Sequence, residues 1–147
     1  MLRRLIRRLT ARMTDTVTVA DTEFNIVKEG KATILFPKKE DVFYNPVQQF
    51  NRDLSVTAIR AWSELYGKPS LSKKRKLDSD EAETRPYINI LEALSATGLR
   101  AIRYAKEIPH VKHIVANDFS EEAVKSIERN IEYNDVSSVL SANKGDA

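Results

Sequence analysis

The run Leu91-Glu92-Ala93-Leu94-Ser95-Ala96-Thr97-Gly98-Leu99-Arg100-Ala101-Ile102-Arg103, with Ala116-Asn117-Asp118 beyond it, constrains this chain more than any other feature. It predicts a strand, a tight turn of small residues, a helix, and a second strand that ends on an acid. That is the first half of a βαβ unit, and a strand returning through a helix pairs in parallel with the one it left. A helix N-terminus leaves backbone N–H groups free for a polar or anionic ligand. An acid about 20 residues beyond the turn glycine is where ribose hydroxyls would be held. Any parallel α/β domain with a small-residue turn shares the local pattern, so the residues around it have to decide what it binds.

The composition narrows the options. At 147 residues the chain can bury the core of one domain, and 24 Lys and Arg against 21 Asp and Glu leave a net charge of only +3. There is no cysteine, which excludes disulfides, thiolate metal sites and cysteine nucleophiles in this sequence. His110 and His113 stand at a predicted loop-to-strand junction and read as turn or surface residues rather than zinc ligands. No apolar run approaches the roughly 20 residues needed to span a bilayer.

Four segments follow. In residues 1–13, Arg3, Arg4, Arg7, Arg8 and Arg12 stand off a helical face made of Leu2, Leu5, Ile6, Leu9 and Met13, with no acid present. This is the pattern of a mitochondrial presequence, and a second start at Met13 would remove it. Residues 14–66 form a strand and helix segment. Asp15 to Ala20 is expected to be poorly ordered, Phe24 to Val27 and Ala32 to Phe36 to be strands around Glu29-Gly30-Lys31, and Val42 to Pro46 to be extended. Val47 to Tyr66 reads as a helix whose apolar stripe is Phe50, Leu54, Ala58, Ala61, Trp62 and Leu65, with Arg52 and Asp53 off that stripe. Residues 67–86 are a polar linker, expected to be disordered, in which Lys73-Lys74-Arg75-Lys76 reads as a nuclear import signal.

Residues 87–147 hold the βαβ pattern. Tyr87 to Leu94, His113 to Ala116 and Val139 to Ala142 are predicted strands, and Leu99 to Ile108 and a Ser120-capped segment to Tyr133 are predicted helices. Val124, Ile127 and Ile131 would face the sheet from the second helix. Ligands of open α/β sheets bind outside the carboxyl ends of the strands. Arg100, Asp118 and Asp146 would therefore converge on one crevice.

Several strings together resemble the tRNA guanine-26 N2-dimethyltransferases. They are Glu29-Gly30-Lys31-Ala32, the run from Val42-Phe43-Tyr44-Asn45-Pro46 through Phe50-Asn51-Arg52-Asp53-Leu54, Leu91 through Arg103, Ala116-Asn117-Asp118, and Gly145-Asp146-Ala147. The resemblance implies an α/β chain with the Rossmann-like fold of S-adenosylmethionine-dependent methyltransferases, cut after about the third strand and preceded by a small N-terminal β/α segment. It implies S-adenosylmethionine as cofactor, tRNA as partner, and cofactor contacts from Arg52, Arg100, Asp118, Asp146 and Ala147. Asp118 would accept the ribose hydroxyls, Asp146 the adenine amine, and the Ala147 N–H would meet a ring nitrogen. Arg52 and Arg100 would pair with the methionine carboxylate or shape the turn that receives it. Phe43 is implied as one wall of the target-base pocket. Plain structural roles compete: core packing for Phe43, an ion pair for Arg52, a helix-leading cap for Asp118.

Two features depart from common patterns. Gly98 alone stands where dinucleotide sites carry two or three glycines; this argues against NAD and suits a cofactor without phosphate. The family also continues into a fourth strand with an Asp-Pro-aromatic-Gly motif that holds the target amine, and into a C-terminal tRNA-binding domain. Neither lies within these residues, so no catalytic residue is assigned here and no catalysis is expected of this stretch alone. An exposed edge on the first parallel strand would then favour aggregation. The alternative is a non-catalytic short form that binds tRNA or a protein partner. Delivery to both mitochondrion and nucleus is expected, through the import machinery reading residues 1–13 and an import receptor reading Lys73, Lys74, Arg75 and Lys76.

Overall fold

A computed structural model describes residues 16–38, 44–66 and 86–147. The presequence-like segment, the basic run at 73–76 and Phe43 lie outside the described residues.

Two three-stranded sheets form the frame. The first is an antiparallel meander of β1 (Thr16–Val19), β2 (Thr22–Glu29) and β3 (Ala32–Pro37). β1 corrects the expectation of a poorly ordered stretch there. Its Thr-Val-Thr-Val alternation sets Val17 and Val19 against Phe24, Ile26 and Leu35. Ala20 and Asp21, with φ of 46° and 62°, close the two-residue hairpin in the left-handed conformation such turns need. The opposite face of this sheet, with Val27, Ala32, Ile34 and Phe36, belongs to the main core.

A 3-10 turn over Pro46–Gln48 then leads into α1 (Gln49–Leu65). The Asn45 side chain caps it by accepting from the Val47 N–H at 2.9 Å. α1 forms where the sequence predicts but presents the opposite face. Phe50, Leu54, Trp62 and Leu65 are exposed by 71, 56, 49 and 72%, while Arg52, Val56 and Ser63 are buried. On the inner side Arg52 meets the buried carboxylate of Glu29, so that face carries an ion pair in place of the apolar stripe.

The second sheet is parallel, in the order β4 (Ile88–Glu92), β5 (Val111–Asp118), β6 (Leu140–Lys144). The helices α2 (Leu99–Glu107) and α3 (Glu121–Tyr133) are its crossovers. All strands and helices predicted in this half are present, with ends shifted by no more than two residues. Ser120 caps α3, its hydroxyl accepting from the Ala123 N–H at 3.3 Å, and Ile127 and Ile131 are buried as expected. Val124 is only partly buried, and the third inward residue is a polar one, Asn130.

Asn130 and Asn134 join the two sheets. The Asn130 Oδ1 accepts from the Leu35 N–H at 2.9 Å, and Asn134 takes both the N–H and the C=O of Thr33. One helix thus occupies the free edge of β3 with side-chain amides in place of a strand, one helical turn apart.

Candidate functional site

The carboxyl ends of β4, β5 and β6 lie side by side, and the chain turns sharply after each. After β4, Ser95 donates through Oγ to the Glu92 carbonyl at 2.9 Å and the Gly98 N–H returns to Ser95 O at 2.8 Å. Ala96 and Gly98 both adopt positive φ, 49° and 76°. Gly98 suits this at little cost, and a Cβ there would lie 3.3 Å from Ile127 Cγ2. Ala96 holds a conformation that L-residues disfavour.

Asp118, at the end of β5, receives that turn. Its Oδ2 accepts from the Ala96 N–H at 2.8 Å, and its Oδ1 accepts from the Ser120 N–H at 3.0 Å. Each carboxylate oxygen keeps a second lone pair, and the residue is only partly buried, so it can accept two further hydrogen bonds from a diol. After β6, the Gly145 N–H donates to the Asp118 carbonyl at 3.1 Å, bringing Asp146 and Ala147 alongside. Asp146 and Ala147 are exposed, and Asp146 Oδ1 accepts from the Ala147 N–H at 3.1 Å.

Arg100, in the first turn of α2, donates to Ser55 Oγ of α1 at 3.1 Å and stands 3.5 Å from the Glu92 carboxylate. Arg52 is placed differently from the other predicted contacts. It is 8% exposed, donates through Nε and Nη2 to the two oxygens of Glu29 at 2.7 and 2.5 Å, reaches the Asn45 carbonyl, and lies over the Tyr44 ring. Arg103 completes this cluster, donating to Glu29 at 2.9 Å, Asp53 at 2.6 Å and Glu107 at 2.9 Å. Burial pushes the Glu29 carboxyl up, but the hydrogen bonds from Arg52 and Arg103 outweigh it and hold the group below the usual carboxylate range.

Three residues escaped the sequence reading. Glu92 was within the motif but not singled out. Burial raises its carboxyl to about 7, against the Ser95 hydroxyl, the Arg100 charge, the Ala101 N–H that it accepts at 3.0 Å, and the Arg52 charge. An acid on the last residue of an apolar strand was the available signal. The sequence holds no signal for Asn117 or Asn130, because an asparagine in a strand or helix carries no distinctive pattern. Asn130 donates to the Thr97 carbonyl at 2.9 Å and so supports the turn from behind.

His110 stacks on Tyr87 at 5.5 Å, and His113 is exposed beside Ser141. No cluster of potential metal ligands exists among the described residues. A cleft of about 440 Å³ between α1 and α2 has Asp53, Arg60, Glu64, Arg103 and Glu107 on its walls and includes none of the predicted site residues.

Comparisons with known proteins identify the family. Residues 20–147 match the model of the N2,N2-dimethylguanosine tRNA methyltransferases. The mitochondrial tRNA (guanine(26)-N(2))-dimethyltransferase of Saccharomyces cerevisiae is 54% identical over 85% of this chain and 27% of its own length. The Schizosaccharomyces pombe tRNA (guanine(26)-N(2))-dimethyltransferase is 49% identical over 81% of this chain and 28% of its own. The chain thus spans about a quarter of the length of the curated relatives it matches. Among solved structures, Trm1 from Pyrococcus horikoshii in complex with S-adenosyl-L-methionine superposes with a TM-score of 0.53 and 35% identity, over 74% of this chain and 23% of that one. With its parallel sheet, its small-residue turn and its strand-end acid, the chain belongs to the N2,N2-dimethylguanosine tRNA methyltransferase family.

Proposed function

We propose that this chain is the cofactor-binding portion of an S-adenosylmethionine-dependent enzyme that dimethylates the N2 amine of guanine-26 in tRNA. The observation that carries the reading is the joining of all three strand ends at Asp118, whose side chain takes Ala96 N–H and whose carbonyl takes Gly145 N–H. The donor set fits the cofactor. Asp118 has acceptor capacity for both ribose hydroxyls, Asp146 an exposed carboxylate for the adenine amine, and Ala147 a backbone N–H that would have to leave Asp146 Oδ1 to meet a ring nitrogen. Arg100 is near enough to the turn to meet the methionine carboxylate. Arg52, held by Glu29, keeps α1 in place, and its charge is felt at Glu92. S-adenosylmethionine, when bound, would supply the activated methyl group, and Asp118, Asp146, Ala147 and Arg100 are the residues that would hold it. Phe43 is assigned to the wall of the base pocket.

The partner is tRNA, and the addresses are the mitochondrion through residues 1–13 and the nucleus through Lys73, Lys74, Arg75 and Lys76. The name of the yeast relative supports the first address. The test is methyl transfer from labelled S-adenosylmethionine by the full-length protein to tRNA with guanine or adenine at position 26. Dimethylguanosine formed only on the guanine-26 tRNA supports the reading. A folded protein that binds this tRNA without methylating it favours the non-catalytic short form instead.

A further inference from the structure

We infer that Asn117 is a positioning residue that sets the spacing between the two loops of the cofactor site; this rests on the reading of that site given above. Asn117 is 5% exposed and stands one residue before the strand-end acid, at the centre of the three strand ends. Its Nδ2 donates to the Ala93 carbonyl at 2.9 Å and to the Gly145 carbonyl at 3.0 Å. Its Oδ1 accepts from Asn143 Nδ2 at 2.7 Å, and its backbone carbonyl accepts from the Ser95 N–H at 2.9 Å. The amide orientation is dictated by its surroundings, since reversing it would set an oxygen against two carbonyls.

One side chain therefore spans from the turn after β4 to the loop after β6. The first loop carries the Ala96 N–H that fixes Asp118, and the second carries Asp146 and Ala147. A ligand held by both loops at once needs them at a fixed separation, and losing that pre-organisation weakens binding. Two close polar substitutes fail there. Aspartate would turn a carboxylate on two carbonyl oxygens, and serine would be too short to reach both.

Gly145 is the counterpart. A Cβ on it would lie 2.9 Å from Asn117 Oδ1 and 3.1 Å from Asn143 Nδ2, so the loop can close on the clamp only because residue 145 has no side chain. The two positions should be energetically coupled, and independent sites would not be.

The experiment uses the full-length protein with Asn117→Ala, Asn117→Asp, Gly145→Ala and the double variant Asn117→Ala/Gly145→Ala. S-adenosylmethionine affinity is measured by calorimetry well below each melting temperature, together with KM and kcat for the cofactor. Both Asn117 variants are expected to weaken binding by roughly tenfold or more and to raise KM with kcat little changed. Gly145→Ala is expected to weaken binding in the wild-type background and to add little in the Asn117→Ala background. Unchanged affinity in folded Asn117 variants, or strictly multiplicative effects of the two substitutions, would overturn the inference. The same coupling is expected in melting temperatures measured without cofactor, so additive stability losses would overturn the inference even if the protein bound no S-adenosylmethionine at all.

Discussion

Glu29 and Arg52 form a bidentate ion pair, Oε1 to Nε at 2.7 Å and Oε2 to Nη2 at 2.5 Å, with both side chains buried. The pair fixes α1 against the antiparallel sheet, and Arg103 reaches the same carboxylate from α2. Three elements of different sequence origin thus meet on one acid. Removing one member leaves a buried charge uncompensated, which costs about 3–5 kcal/mol. Glu29→Ala, which leaves Arg52 without a carboxylate while Arg103 keeps Asp53 and Glu107, is expected to lose about that much in denaturant unfolding, and more than Arg52→Ala, after which Arg103 still pairs with Glu29.

The pH dependence of stability is expected to have two limbs of opposite sign. Glu29 and Glu107 have folded values held below the ordinary one, so their contribution is present at neutral pH and lost as the pH falls through those values. Glu92 is raised to about 7, so the folded state binds its proton more tightly than the unfolded state, and stability falls as the pH rises from about 4.5 to 7. Glu92→Gln removes the second limb. Relative to wild type it is expected to gain up to about 3 kcal/mol between pH 5 and pH 8, read from unfolding curves across that range. A difference that does not vary with pH would contradict the raised value.

Gly98→Ala forces a Cβ onto a residue at φ +76° and sets it 3.3 Å from Ile127 Cγ2. The left-handed conformation alone costs about 1–2 kcal/mol. The melting temperature is expected to fall accordingly. Ala96→Gly, at φ 49°, relieves the same penalty and should not lower it.

Asn130 is fully buried and serves two backbone groups, Leu35 N–H and Thr97 C=O. Asn130→Ala leaves both unpaired, at about 1–3 kcal/mol each. Amide exchange should locate the damage: the Leu35 N–H is expected to lose protection in the variant while amides at the centre of β5 keep theirs.

The parallel half was legible because its signals are local. The alternation of apolar runs with helical stripes, the Ser120 cap and Pro109 each fix a boundary within a few residues. α1 was legible as a helix but not in its orientation, because periodicity reports which residues share a face and not what that face meets. Its inner face was decided by Glu29, a residue 23 positions away whose burial no local pattern reveals. β1 was missed since four residues of Thr and Val give a short signal, and its support comes from Phe24, Ile26 and Leu35 across the hairpin. In the candidate site, Asp118 and Arg100 stand out in the sequence because charged residues at strand and helix ends are conspicuous. Glu92, Asn117 and Asn130 act through contacts with backbone groups far along the chain, which only the fold brings together.

The most direct measurement is calorimetric titration of S-adenosylmethionine into the full-length protein, with Asp118→Ala as the comparison. Saturable binding by the wild type, lost in an Asp118→Ala variant that remains folded, is the expected result. A folded wild-type protein that takes up no S-adenosylmethionine, or an Asp118→Ala variant that binds it equally well, would contradict the assignment of the three strand ends as the cofactor site.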